Sequence, residues 1–315
     1  MLNLSKRQDV LAAYKLLLDN FDNGFDTVNT ILIRKGAEIL DQYKEDLKEC
    51  FAAEARSVDF ARDGTKVAEQ VNEWAHAKTR GTISQLLDGE LQANTAVLLL
   101  SAAYFKGVWL TKFKADQTKE LPFYNYGRDE VRVPTMWLQR GLRYAALEGL
   151  KAAAVEVPYA ERQFSMIILL PDDKEGLPAL ESELGVDVID EIIDGFAYLN
   201  VELWFPKFSF SSNHDLLPAL REMGLQNVFT DDADLSGITS GNDLRVSDVK
   251  HKAVIEVNED GTVAAAVTWL SLILRSSFRA RPVTPVTIRV DHPFCFVIWD
   301  KFNQRAVFMG TVQKL

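Results

Sequence analysis

The sequence is poor in cysteine and histidine. Its 315 residues include two cysteines, Cys50 and Cys295, and four histidines. No CxxC is present, so a dithiol redox site and a thiolate zinc site both lack support, and two cysteines make no disulfide framework. Both read as free, buried thiols packing as small hydrophobes. His76, His214, His251 and His292 form no HExxH pair, so a zinc-hydrolase site is unsupported. GxSxG and GxxxxGK[ST] are also missing, which removes the nucleophile elbow and the phosphate loop. Scattered carboxylates read as solvated surface, so no enzymatic activity, metal or cofactor is expected. No apolar run reaches the 18 or so residues of a membrane span. Residues Met1 to Lys6 hold no apolar secretory core. Asn3-Leu4-Ser5 is a glycosylation sequon, but Ser5-Lys6-Arg7-Gln8 fits a helix capping box, which is the preferred reading.

What remains is a globular composition. Hydrophobic residues make up 47% and charged residues 25%, which excludes a disordered or fibrous chain. Lys and Arg number 35 against 45 Asp and Glu, a net charge of −10. An acidic surface suits neither nucleic acid nor an anionic membrane.

Helical spacing places Val10, Leu11, Tyr14, Leu17 and Leu18 on one face of a helix over 6–18. Thr27–Ile33 reads as a strand. Gly36 opens a second helix, with Ile39, Leu40, Tyr43 and Leu47 inward. Val58-Asp59-Phe60 reads as a short strand and Thr65–Lys78 as a third helix. Ala96–Trp109 predicts a long buried strand, beyond the usual five or six residues. Strands follow at 155–157, 164–170 and 201–210, and Pro171-Asp172-Asp173 is a turn. Helices fit 176–194 and 213–224, the second capped by Asn213 and ended by Gly224. Further strands fit 245–258, 283–290, 294–299 and 305–312. Helices lead and strands dominate later, which predicts an α+β fold with largely antiparallel sheets. No linker divides the chain, so a single domain over 1–315 is expected.

Glu256–Pro282 reads EVNEDGTVAAAVTWLSLILRSSFRARP. Taken alone, Trp269–Leu274 looks like a core strand. Yet the basic stretch Arg275-Ser276-Ser277-Phe278-Arg279-Ala280-Arg281 follows, open to a trypsin-like protease. One segment with two states, exposed loop and strand, reconciles the two. At every second position Thr262, Ala264, Ala266, Thr268, Leu270, Leu272 and Leu274 share a strand face. Small residues lead, so the strand could enter between existing strands without clashing.

Glu259-Asp260-Gly261-Thr262-Val263-Ala264-Ala265-Ala266 closely resembles the serpin hinge. His251-Lys252-Ala253, Asp234-Leu235-Ser236-Gly237, Phe205-Pro206-Lys207-Phe208, Tyr104-Phe105-Lys106-Gly107-Val108-Trp109, Val133-Pro134-Thr135-Met136 and Asp291-His292-Pro293-Phe294 also match. Val71-Asn72-Glu73-Trp74 with Thr79 and Gly81 is similar to the family's helix F. The matches run in the family's order from about residue 5 to Leu315, and resemble secreted inhibitory serpins.

The resemblance implies a serpin fold with a reactive loop at about 259–282. It implies a serine protease inhibitor acting as a suicide substrate, whose cleaved loop joins the main sheet as a new strand. With Glu259 as the seventeenth residue before the reactive bond, that bond is Arg275-Ser276, which suits a trypsin-like protease. Arg279 and Arg281 are rivals that lengthen the tether. Glu259, Gly261, Thr262, Ala264, Ala265 and Ala266 form the hinge. Trp109 and Lys207 match the region where the loop enters the sheet, and Lys207 could pair with Glu259 or be a plain surface charge. His251 matches the shutter histidine, or is a satisfied core histidine. Ser101 stands where the family usually has Asn. The resemblance implies an extracellular monomer, with a polymerisation risk from strand insertion between molecules. Lys6, Arg7 and Lys15 are diluted by Asp9 and Asp19, so a sulfated polysaccharide is not an expected partner. Serpins usually carry further helices and a strand before the position matched by Met1, so an N-terminally truncated form is expected. The alternative function is a non-inhibitory serpin-fold binding protein or a loop-cleaved substrate.

Overall fold

Side chains at helical spacing build α1 (Arg7–Asp19), α2 (Asp41–Phe51) and α3 (Phe60–Lys78). The shorter α4 (Leu177–Glu183), α5 (Val186–Asp194) and α6 (Leu217–Glu222) follow. The structure, a computed structural model, describes residues 7–19, 25–79, 81–89, 91–105, 107–241, 244–261 and 284–315. The early strands are β1 (Phe25–Arg34), β2 (Ala53–Val58), β3 (Val97–Phe105), β4 (Lys119–Asn125) and β5 (Asp129–Leu147). Then come β6 (Ala152–Pro158), β7 (Phe164–Pro171), β8 (Ala197–Pro206), β9 (Phe208–Asp215) and β10 (Val246–Val257). The last three are β11 (Val286–Arg289), β12 (Phe294–Asp300) and β13 (Arg305–Val312). The chain divides into two compact units, Met1–Phe105 with Phe210–Ile255, and Lys106–Ser209 with Glu256–Leu315.

The first unit carries a five-stranded sheet in the order β2-β1-β3-β10-β9. Here β1 and β3 are antiparallel, but β1 with β2 and β3 with β10 are parallel. The sheet is therefore mixed, whereas in the eight-stranded sheet of the second unit only β8 and β11 pair in parallel among the described residues, so the sheets are mostly antiparallel, as expected. The α3 motif explains itself as a fastening. Asn72 Oδ1 accepts from Leu86 N at 2.7 Å and Leu87 N at 2.9 Å, while its Nδ2 donates to Leu87 O. Thr79 Oγ1 donates to Ala75 O and accepts from Ile83 N. These bonds fold residues 83–87 back onto α3. Tyr14 of α1 lies 4.9 Å from Phe51 of α2. The basic residues Arg7 and Lys15 pair with Asp46 and Glu49 of α2, so that helix presents two neutralised cations.

The second unit holds an eight-stranded sheet, β11-β8-β5-β6-β7-β12-β13, with β4 paired to β5. Every residue of β7 and β12 is buried, as befits central strands. The buried Glu156 carboxylate is matched by Arg143 Nη1 at 2.8 Å and Lys301 Nζ at 2.5 Å. Two cations are needed there because a buried charge without partners is costly. Cys50 and Cys295 are free and buried. Burial, with Glu181 second, pushes the Cys295 thiol up to about 12, so it forms no reactive thiolate near neutral pH.

Several boundaries differ from the sequence reading. Gly36 sits in a turn at φ +103, and α2 starts five residues later. Asp59 is the N-cap of α3, accepting from Arg62 N at 3.1 Å, rather than part of a strand. The helix expected over 176–194 breaks at Leu184-Gly185. Asn213 caps no helix: it lies in β9 and donates to Asp88 Oδ2 at 3.1 Å. The strand expected over 201–210 is interrupted at Lys207. The strand expected over 96–109 ends at Phe105.

Candidate functional site

In the second unit, the base of the atypical segment is a closed turn. Asn258 N donates to Gly261 O at 2.9 Å and Gly261 N to Asn258 O at 3.2 Å. Asn258 Oδ1 also accepts from Asp260 N and Gly261 N, at 3.0 and 3.2 Å. An Asn side chain bonding to backbone two residues on is a turn-former. Gly261 has φ +138, and a Cβ there would lie 2.1 Å from Gly107 O and 2.6 Å from Val108 Cα. Only glycine fits this close approach.

The stretch 107–118 holds that turn. Val108 and Gly261 form an antiparallel bridge. Trp109 N donates to Asp260 O and Phe113 N to Glu259 O, each at 2.9 Å. Trp109 Nε1 donates to Asn258 O at 2.9 Å. The indole is 1% exposed, stacked on Tyr159 at 4.5 Å and edge-on to Phe113 at 6.0 Å. A buried indole that finds an acceptor packs at full value.

The structure brings Lys207 and Glu259 together, Nζ to Oε2 at 2.8 Å. Thr118 Oγ1 donates to the other oxygen, Glu259 Oε1, at 2.8 Å. Burial pushes the Glu259 carboxyl up, but the bonds from Lys207 and Thr118 outweigh it and hold the group below its usual 4.5. Lys207 is aimed by its neighbours. Phe205 and Phe208, on either side, are buried and T-shaped at 5.8 Å, and Phe205 also meets Phe294 at 5.8 Å. Two motifs distant in sequence thus share one aromatic cluster. Lys112 Nζ pairs with Asp260 Oδ1 at 2.7 Å. Lys112, Thr118 and Tyr159 were not legible from sequence, because their partners Asp260, Glu259 and Trp109 are distant in the chain, and Asn258 was not legible because it read as the end of a strand.

In the first unit, His251 on β10 and Ser101 on β3 are register partners, and both are half-buried. Burial, with the charge of His214 second, lowers the His251 pKa from 6.5. The folded state therefore binds a proton less readily than the unfolded chain. Stability should fall as pH drops below about 6.5, because the unfolded chain then takes up the proton first. Melting temperatures between pH 7.5 and 5.5 should decline more steeply for the native chain than for His251→Gln; equal slopes would remove His251 from the account. Thr262, Ala264, Ala265, Ala266, Arg275 and Ser276 lie outside the described residues, as does the Ser5 cap. Among the described residues, no group of three or more His, Cys, Asp or Glu could hold a metal ion.

The serpin (serine protease inhibitor) family model matches residues 1–315. Iripin-8 of Ixodes ricinus is 36% identical over 311 residues, covering 97% of this chain and 77% of that protein. Intracellular coagulation inhibitor 1 of Tachypleus tridentatus is 35% identical over 293 residues, covering 92% and 69%. The crystal structure of Serpin48 of Tenebrio molitor superposes with a TM-score of 0.87 at 30% identity, covering 99% of this chain and 82% of that one. The extracellular location implied by the resemblance needs correction: a relative named intracellular shows that likeness to these proteins does not imply secretion. A family model that matches the whole chain, a relative 36% identical and a solved structure at a TM-score of 0.87 agree, and the chain belongs to the serpin family.

Proposed function

We propose that this chain, as one serpin domain over 1–315, inhibits trypsin-like serine proteases as a suicide substrate. The protease serine oxygen attacks the Arg275 carbonyl carbon. The bond to Ser276 N breaks, the amine leaves with a proton, and an ester joins Arg275 to the protease. The cleaved loop then adds to the five-stranded sheet before water reaches the ester. Some fifteen inserted residues at about 3.3 Å each would carry the protease roughly 50 Å.

The observation that carries this reading is the fixed loop base. Glu259 is held by Lys207 and Thr118, and Gly261 is bridged to Val108. Small residues follow immediately in sequence. The pairing of β3 with β10 adds support. They are parallel neighbours, and a strand folding back from the end of β10 would run antiparallel to both. Antiparallel pairing is slightly the more stable kind per residue, so exchanging one parallel contact for two antiparallel ones favours insertion. A relative that is named an inhibitor points the same way.

Arg at the reactive position suits a protease pocket with an acidic base. Arg275→Ala is expected to abolish inhibition of trypsin while Arg275→Lys retains it. Retained inhibition by Arg275→Ala, with cleavage at an unchanged site, would place the reactive bond elsewhere.

A further inference from the structure

We infer that Lys112 and Asp260 are a positioning pair for the loop base, fixing the point from which the new strand grows. This rests on the trapping reading above. The geometry of the turn carries it. Asp260 is pinned at both ends of its backbone: its N–H donates to Asn258 Oδ1, and its carbonyl accepts from Trp109 N. Lys112 precedes Phe113, which is 4% exposed, packs edge-on against Trp109 and donates its own N–H to Glu259 O. Both partners of the 2.7 Å pair therefore stand on backbone already held in place.

The bonds being held are of strand type. The Val108–Gly261 bridge is antiparallel, the same pairing an inserted strand would need. Nucleating a strand is the costly step, since chain entropy is lost before later contacts repay it. A base held at Asp260 supplies that first rung in advance. Glu259, one residue earlier, is already engaged by Thr118 and Lys207. Lys112 extends this hold to the residue directly before Gly261. A looser base should delay insertion and let water reach the ester more often.

The pair is part-exposed, with side chains 39% and 43% accessible, so its effect should be modest and salt-sensitive. Lys112→Met keeps the aliphatic stem and removes the charge. It is expected to lower the ratio of trapped to hydrolysed product by about two- to fivefold, the range an exposed ion pair supports. Tm should stay unchanged. The double variant Lys112→Asp with Asp260→Lys should restore the ratio, which a general packing role would not do. Added salt should lower the ratio of the native chain toward that of Lys112→Met. If the native chain forms no covalent adduct with trypsin, the trapping reading fails and this inference with it. If the native chain traps and Lys112→Met traps with an equal ratio, or the swap restores nothing, only the positioning role is overturned.

Discussion

Under the proposed mechanism, Gly261→Ala should turn trapping into plain cleavage. The added methyl would meet backbone on three sides: Gly107 O at 2.1 Å, Val108 Cα at 2.6 Å and Trp109 N at 2.8 Å. Backbone cannot swing aside as a long side chain can, and φ +138 disfavours any residue with a Cβ. The strain and overpacking together cost about 2–5 kcal/mol. The turn would open, taking the Val108 bridge and the Trp109 and Phe113 bonds with it. Trapping is a race between strand addition and hydrolysis, and each 1.4 kcal/mol or so on the insertion barrier costs about tenfold in rate. The adduct with trypsin should fall at least about tenfold, with Tm lowered by about 5 °C or more. Gly237→Ala is the control, since a Cβ there meets nothing within 4 Å. An adduct yield from Gly261→Ala equal to that of the control would show that the turn does not govern insertion.

The second large effect is expected at Thr262, the first small residue after the turn. Thr262→Arg would place a guanidinium on the face that insertion buries. Burying a charge without a partner costs several kcal/mol or more, which exceeds what the first added rungs return. Cleavage after Arg275 should persist, because the substitution lies about a dozen residues from that bond. The product should then be clean cleavage with almost no adduct. Thr262→Ser, with the same size class and no charge, should trap normally. Undiminished trapping by Thr262→Arg would mean that this residue stays outside the sheet.

The two ends of the candidate site differed in how legible they were. Glu259, Gly261, Lys207 and Trp109 stand inside short motifs, so their resemblance to a family singled them out before any geometry was known. Their pairing then followed, with Lys207 reaching Glu259 across 52 residues of sequence. Lys112, Thr118 and Asn258 carry no such signal. A lysine or threonine in a stretch without periodicity looks like surface until the chain folds it against Asp260 or Glu259. The fold showed the same division. Strands β3, β7 and β12 are continuous apolar runs and were readable. Strands β4 and β5 were not, because Pro122 and Pro134 interrupt them and charged residues fill their exposed positions. In the ladder Pro122 faces Arg132 and Pro134 faces Glu120. Lys207 broke an expected strand in two, and that break is what puts its ammonium beside Glu259 instead of in a sheet face. Gly185 carried the signal that splits α4 from α5, yet the apolar spacing on both sides masked it.

Mixing the chain with trypsin, then running a denaturing gel with mass spectrometry of the released peptide, decides whether cleavage at Arg275-Ser276 leads to covalent trapping. Trapping gives a band at the summed mass of the protease and the cleaved chain, and a peptide that begins at Ser276. Complete cleavage without that band would rule trapping out and make the chain a serpin-fold substrate rather than an inhibitor.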